Sequence, residues 1–172
     1  VVINSLVVAL FGPSLLIGRL ISFLSTLGSA VMIGLIIQRF SKKEGLLPML
    51  VGGGVFLITP YVLEWSTLFR IDMLALFLSL WGLYVVVQDP QKSLNMYLAA
   101  GLFILGAYTR QSFGFAAPLA ATIYIYTKHK SQALRLFLAY GLGGLAIFAI
   151  MNWITAGAFF FHIITANVNP FN

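Results

Sequence analysis

The sequence has no cysteine, only four acidic residues and few charged residues of any kind. The absence of cysteine excludes disulfides, cysteine nucleophiles and thiolate metal sites. Only 8% of the 172 residues are charged, whereas 60% are hydrophobic. A soluble domain of this length needs a more polar surface than that. The composition therefore excludes a water-facing globular domain and predicts an integral membrane protein.

The motifs of nucleotide and metal chemistry are also missing. The sequence contains no glycine-rich phosphate loop, no His-Glu-x-x-His and no carboxylate-rich metal loop. Its net charge is +6, but the ten Lys and Arg residues are scattered at the ends of apolar segments. We therefore predict no nucleic-acid partner, no metal site and no cofactor. A divalent cation is compatible with such a chain, but nothing in the sequence supports one.

Six apolar segments approach the roughly 20 residues that cross a hydrocarbon core of about 30 Å. They run from Ser14 to Gln38, Gly45 to Leu63, Ile71 to Val87, Leu94 to Thr109, Ser112 to Thr127 and Ala133 to Gly157. Backbone groups in lipid must be satisfied within their own segment, so we expect every segment to be helical. The prediction is an all-α polytopic membrane helix bundle.

The chain starts at Val1 without a basic leader, so we predict no signal peptide and expect a fragment of a larger membrane protein. All of residues 1–172 are expected to form a single transmembrane domain. Within it, we expect a short interfacial helix over 1–12, the six-helix region over 13–157 and the start of an external loop over 158–172.

The distribution of Lys and Arg predicts the orientation of the bundle. One side collects Arg39, Lys42, Lys43, Lys92, Lys128, Lys130 and Arg135, and the other has only Arg19, Arg70 and Arg110. The richer side of a membrane protein faces the cytoplasm. We therefore predict a multi-pass protein of the plasma (inner) membrane whose functional surface is periplasmic or extracellular.

The turn from Glu64 to Asp72 holds two carboxylates and Arg70 between two apolar segments. Ionisable groups at membrane depth are costly, so the cluster is a candidate functional site. The alternative is that Arg70 and Asp72 simply pair at the interface and mark the start of a helix.

A second polar cluster, Tyr108 to Ser112, lies between two segments of only about sixteen residues, or roughly 24 Å of helix. Its tip is therefore expected to lie below the outer surface. Arg110 there suits two oxygens of a phosphate, with Gln111 beside it. The alternative is that the bilayer thins locally and Arg110 reaches lipid head groups.

Three further residues are weaker candidates for substrate binding. Arg19 lies about one turn inside the first segment, and it either contacts the same anion or extends to the interface. His162 and Asn167 follow a run of three phenylalanines that is more typical of an interfacial aromatic belt than of a sugar platform.

The order of these motifs resembles that of the GT-C type polytopic glycosyltransferases. The motifs are the run from Phe11 to Ser22, then Pro60, Trp65, Arg70-x-Asp72, Thr109-Arg110-Gln111 and the closing stretch from His162 to Phe171. They are similar to the dolichyl-phosphate-mannose protein mannosyltransferase and aminoarabinose transferase branch of the family 39-like enzymes. Ile71 stands where many relatives have proline.

The resemblance implies a membrane glycosyltransferase that moves a sugar from a polyprenyl-phosphate donor to a glycolipid, polysaccharide or protein acceptor. It also implies that the site lies on the non-cytoplasmic face, within membrane lipids. Asp72 would then orient the donor sugar, with Glu64 as a second catalytic candidate, while the acidic general base of such enzymes would precede this sequence. The alternatives are a transporter or lipid flippase with a charged pathway, and a non-catalytic scaffold.

Overall fold

The structure is a computed structural model that describes residues 15–41, 45–66, 68 and 70–163. All regular elements among these residues are helical. They are α1 (Leu15–Phe40), α2 (Leu47–Leu57), α3 (Pro60–Ser66), α4 (Asp72–Gln88), α5 (Ser93–Thr109), a 3₁₀ turn (Gln111–Phe113), α6 (Ala116–Tyr126), α7 (Lys130–Ile154) and α8 (Ala158–Ile163). The predicted all-α bundle is confirmed. The predicted interfacial helix over 1–12 lies outside the described residues.

Two of these helices, α1 and α7, are long and apolar enough by themselves to cross a membrane. The apolar helices α4 and α5 have 17 residues each, which corresponds to about 25 Å of helix. These helices are therefore shorter than the hydrocarbon core, which is about 30 Å thick. In a bilayer, polar residues at the ends of α4 and α5 lie near the depth of the lipid carbonyls.

The second predicted segment, Gly45 to Leu63, is not one helix. It divides into α2 and α3 at Thr59, directly before Pro60. Proline cannot donate a backbone hydrogen bond, and its ring crowds the preceding turn, so the chain starts a new helix there. The fifth segment also starts later than predicted, at Ala116, because the residues before it form the 3₁₀ turn.

The first six residues of the segment that we expect to begin an external loop form the short helix α8. Asn152 of α7 and Thr155, which directly follows α7, cap this helix. The Thr155 hydroxyl accepts a hydrogen bond from the Phe159 amide at 3.0 Å, and the Asn152 side-chain oxygen accepts one from the Phe160 amide at 3.1 Å. Caps of this kind satisfy amides that have no partner within the helix.

Helices α1, α4, α5 and α7 pack side by side in that order, with α2 against α1 and α6 against α7 and α4. Four small residues recur every four positions on α1 and form a buried packing stripe: Ser22, Thr26, Ala30 and Gly34. The core lies around Phe103 on α5, which is fully buried. Small residues at these contacts let helix backbones approach closely, as membrane bundles require.

The charged residues lie at opposite ends of the bundle. At one end, Arg39 donates to the Gln88 carbonyl oxygen at 3.3 Å, and Arg135 contacts the Ser93 hydroxyl. These contacts join the end of α1, the α4–α5 turn and the start of α7. The other end holds the start of α1, the end of α3, the start of α4 and the end of α5. That second end carries Glu64, Arg70, Asp72 and Arg110.

Candidate functional site

The central contact of the candidate site is an ion pair between Arg110 and Asp72. Asp72 is the first residue of α4, and Arg110 directly follows α5. Because the two helices are antiparallel neighbours, the start of one lies beside the end of the other. Arg110 Nη1 contacts Asp72 Oδ1 directly. The start of α4 and the end of α5 therefore meet through two charged side chains that are 38 positions apart in sequence.

Arg70 approaches the same carboxylate from its other side. Its Nη1 lies 3.9 Å from Asp72 Oδ2. We call Arg70, Asp72 and Arg110 the ion cluster. The Asp72 side chain is 14% exposed, whereas those of Arg70 and Arg110 are 41% and 42% exposed. With two guanidinium groups and one carboxylate, the ion cluster has a net charge of +1, and its positive groups face outwards.

The local backbone favours these charges. Asp72 lies in the first turn of α4, where the helix dipole stabilises a negative group. Arg110 lies at the carboxyl end of α5 in extended conformation, with φ −150° and ψ 121°, where a cation is favoured. Its Nε donates to the Ser112 hydroxyl at 3.3 Å.

Helix α1 supports the ion cluster from a third direction. The buried Ser22 hydroxyl donates to the Arg70 carbonyl oxygen at 3.3 Å, which ties the approach to α4 onto α1. Ser22 is also a member of the packing stripe on α1. Its spacing in that stripe carries no signal for this second contact, because the acceptor is a backbone atom 48 residues away.

The other predicted site residues that the structure describes lie at the same end of the bundle or near it. Glu64 is exposed on α3, and Gln111 is exposed in the 3₁₀ turn beside Arg110. Arg19 is exposed on α1, and it forms no ion pair or hydrogen bond within the described part of the chain. His162 is on α8, which packs on α7. Asn167 lies outside the described residues.

A metal site finds no support at the ion cluster. Across residues 15–41, 45–66, 68 and 70–163, no group of three or more histidines and carboxylates lies together. The single carboxylate of the ion cluster already faces two guanidinium groups, which repel a cation.

The arrangement is instead suited to an anion with several oxygens. A guanidinium presents five N–H donors in a planar fork that matches phosphate or carboxylate oxygens. Two such groups beside a single carboxylate leave this end of the bundle with an excess positive charge. Partial exposure of both arginines leaves them accessible from the end of the bundle.

Comparison with known proteins assigns this chain to a family. Residues 2–155 match the family described as dolichyl-phosphate-mannose-protein mannosyltransferase. No curated protein and no solved structure gives a significant match. The matched residues contain α1 to α7 and the whole ion cluster. The chain therefore belongs to the dolichyl-phosphate-mannose-protein mannosyltransferase family, whose members are integral membrane glycosyltransferases of the GT-C type.

Proposed function

We propose that this chain forms the phosphate-binding part of a glycosyltransferase active site that uses a polyprenyl-phosphate-linked sugar. The sugar passes to a glycolipid, polysaccharide or protein acceptor on the non-cytoplasmic face. The observation that carries the proposal is the ion cluster, in which two exposed guanidinium groups from separate loops share one carboxylate. Membership of the family supports the reaction class.

The donor contributes a phosphate to which the ion cluster is complementary. A phosphodiester carries one negative charge, and the ion cluster carries a net charge of +1. The guanidinium groups of Arg70 and Arg110 are both partly exposed at this end of the bundle, where a phosphate can contact them. The short helices α4 and α5 bring these donors near the lipid head groups, where a phosphate on a membrane-anchored chain lies.

The same groups act on the transition state. When the acceptor attacks the anomeric carbon, the sugar gains oxocarbenium character and negative charge grows on the leaving phosphate. A fixed guanidinium interacts more strongly with that growing charge than with the bound donor, so it accelerates the reaction. Asp72 positions Arg110 through the ion pair. This role replaces orientation of the donor sugar as the main role that we assign to Asp72.

Replacement of Arg110 tests the proposal. The variant Arg110→Ala is expected to lower sugar transfer about 10²- to 10³-fold, the usual effect of removing one donor to a developing oxyanion. The measurement is transfer of labelled mannose or aminoarabinose from its polyprenyl phosphate to membrane acceptors. Binding of the sugar-free polyprenyl phosphate provides a second readout, and it is expected to weaken.

The matched control is Lys92→Ala, which removes an exposed positive charge from the turn at the opposite end of the bundle. That variant is expected to retain wild-type transfer and binding. If Arg110→Ala inserts into the membrane and transfers sugar at the wild-type rate, Arg110 has no role as a phosphate ligand.

A further inference from the structure

The turn that carries Arg110 is fastened to α7 by two tyrosine side chains. We call residues Arg110–Gly114 the tip turn. It contains the 3₁₀ turn and joins α5 to α6. Within it, the Phe113 amide donates to the Arg110 carbonyl oxygen at 3.1 Å, and the Gly114 amide donates to the Gln111 carbonyl oxygen at 2.9 Å. These local bonds define the shape of the tip turn, but they do not fix its position on the bundle.

Tyr140 supplies the first attachment. This residue lies on α7, and its hydroxyl donates to the Gly114 carbonyl oxygen, the last backbone acceptor of the tip turn. The Tyr140 ring also packs edge-on against Phe103 of the core, with 6.4 Å between the ring centroids. The hydrogen bond of Tyr140 therefore connects the tip turn to the buried core around Phe103.

Tyr108 supplies the second attachment, and here the donor lies on α5 and the acceptor on α7. It lies in the last turn of α5, and its hydroxyl donates to the Gly144 carbonyl oxygen of α7 at 2.8 Å. Gly144 is one helical turn beyond Tyr140. The Tyr108 ring stacks on Phe159 of α8, with 6.2 Å between centroids and 21° between planes. The two hydrogen bonds thus attach the chain to α7 on both sides of Arg110, at Tyr108 before it and at Gly114 after it.

Gly114 leaves the room that Tyr140 needs. A Cβ atom at this position would lie 3.1 Å from the Gln111 carbonyl oxygen, 3.3 Å from Ala107 Cβ and 3.4 Å from the Tyr140 hydroxyl. The φ of Gly114 is −72°, which any residue adopts. Limited space, and not backbone conformation, therefore favours glycine here. This close approach is consistent with a specific docking of the tip turn onto α7.

We propose that Tyr108 and Tyr140 are positioning residues that hold Arg110 against Asp72. This inference rests on the proposed function of Arg110 as a phosphate ligand. Neither tyrosine takes part in the ion cluster, and neither is assigned contact with substrate. The Tyr108 hydroxyl joins α5 to α7, and the Tyr140 hydroxyl joins α7 to the tip turn. The orientation of the Arg110 guanidinium therefore depends on α7, a helix that supplies no charge to the ion cluster.

Hydrogen exchange measures the attachment directly. In the purified protein, Tyr140→Phe and Tyr108→Phe are each expected to accelerate amide exchange in the tip turn by about fivefold, the effect of one lost hydrogen bond. Exchange in α4 is expected to stay unchanged. The matched control, Tyr97→Phe, removes an exposed hydroxyl from the other end of α5. Equal tip-turn exchange in all three variants would overturn the proposal.

Kinetics separate positioning from general stability. In the wild-type background, Tyr140→Phe is expected to lower kcat/KM for the polyprenyl-phosphate-linked sugar about fivefold. In the Arg110→Ala background the same change is expected to cost nothing further, because no guanidinium is left to position. A tyrosine that only stabilised the bundle would lower the rate equally in both backgrounds, and that result would contradict the proposal.

The two proposals fail in different ways. If Arg110→Ala transfers sugar at the wild-type rate, the proposed function of Arg110 fails, and the positioning role fails with it. If Arg110→Ala is inactive but tip-turn exchange is the same in Tyr140→Phe, Tyr108→Phe and Tyr97→Phe, only the positioning proposal fails. Both tyrosine variants keep the aromatic ring, so the packing of Tyr140 on Phe103 and of Tyr108 on Phe159 is retained.

Discussion

At the residue scale, Asp72 links two arginines that the sequence separates by 40 positions. Its nearest positive group is Arg110 on the other hairpin tip, whereas its sequence neighbour Arg70 lies at 3.9 Å. From the sequence alone, a simple pair between Arg70 and Asp72 was the alternative to a functional cluster. The mostly buried carboxylate contacts both guanidinium groups, so it positions both of them. Asp72 is therefore the organising residue of the ion cluster.

A double-mutant cycle tests this coupling. Asp72→Asn and Arg110→Gln are each expected to lower kcat/KM, and the double variant is expected to be within about threefold of the weaker single variant, because residues that act as a unit are not additive. The comparison cycle combines Arg110→Gln with Asp89→Asn at the opposite end of the bundle. Those two effects are expected to add. Additivity in both cycles would show that the ion pair is not used in catalysis.

At the element scale, the spacing of α4 and α5 determines whether the ion cluster forms. The two helices touch through Gly82, where an added Cβ would lie 2.6 Å from Cε1 of the fully buried Phe103 ring. They touch again through Gly106, where a Cβ would lie 3.0 Å from the Ser79 hydroxyl. Two close contacts on one interface hold the helices in a fixed register, and this register brings Asp72 level with Arg110.

The variant Gly82→Ala tests the importance of that spacing. The added methyl group must displace the buried Phe103 ring, so the variant is expected to be less stable by about 1–3 kcal/mol. Gly101→Ala is the matched control, because this glycine of α5 has open space around its Cα. It is expected to be neutral or more stable by up to about 1 kcal/mol. The midpoint of thermal unfolding in detergent measures both, and equal midpoints would contradict the tight contact.

At the scale of the whole molecule, the bundle separates its charges between two ends. The ion cluster lies at one end, while Arg39, Lys92 and Arg135 lie at the other. A transporter or flippase commonly has its charged groups near the bilayer midplane, between broken helices. The position of the ion cluster at the end of a helical bundle favours instead a reaction at one membrane surface.

Single cysteines test the predicted orientation. The sequence has no cysteine of its own, so Glu64→Cys, Gln111→Cys and Lys92→Cys each introduce one reporter at an exposed position. An impermeant maleimide applied to intact cells is expected to label the first two and not the third. Breaking the cells is expected to expose Lys92→Cys. The reverse pattern would place the ion cluster in the cytoplasm and remove the proposed orientation.

Several features of the fold could be read from local sequence. The apolar segments predicted helices along the chain, and the break between α2 and α3 lies directly before Pro60. The resemblance of the ordered motifs predicted the family that residues 2–155 match. These features depend on composition, on helix periodicity or on residues close together in the chain, so a linear sequence contains them.

Other features could not be read in this way. Nothing in the apolar sequence of α7 distinguishes Tyr140 from an interfacial tyrosine, and Ser22 looks the same as its packing neighbours. The helix over 158–163 depends on Asn152 and Thr155, whose capping roles appear only after α7 ends and the chain turns back. Each of these roles is defined by a partner elsewhere in space.

The sequence by itself determined that the chain is a helical membrane protein with polar groups collected at hairpin tips, because burial in lipid forces the backbone into helices and makes charges costly. Only the tertiary structure decided that Asp72 pairs with Arg110 and that α7 holds the tip turn. The physical reason is that these contacts depend on which helices are neighbours and in what register. Helix packing sets that register through close contacts such as Gly82 with Phe103, and no local pattern encodes it.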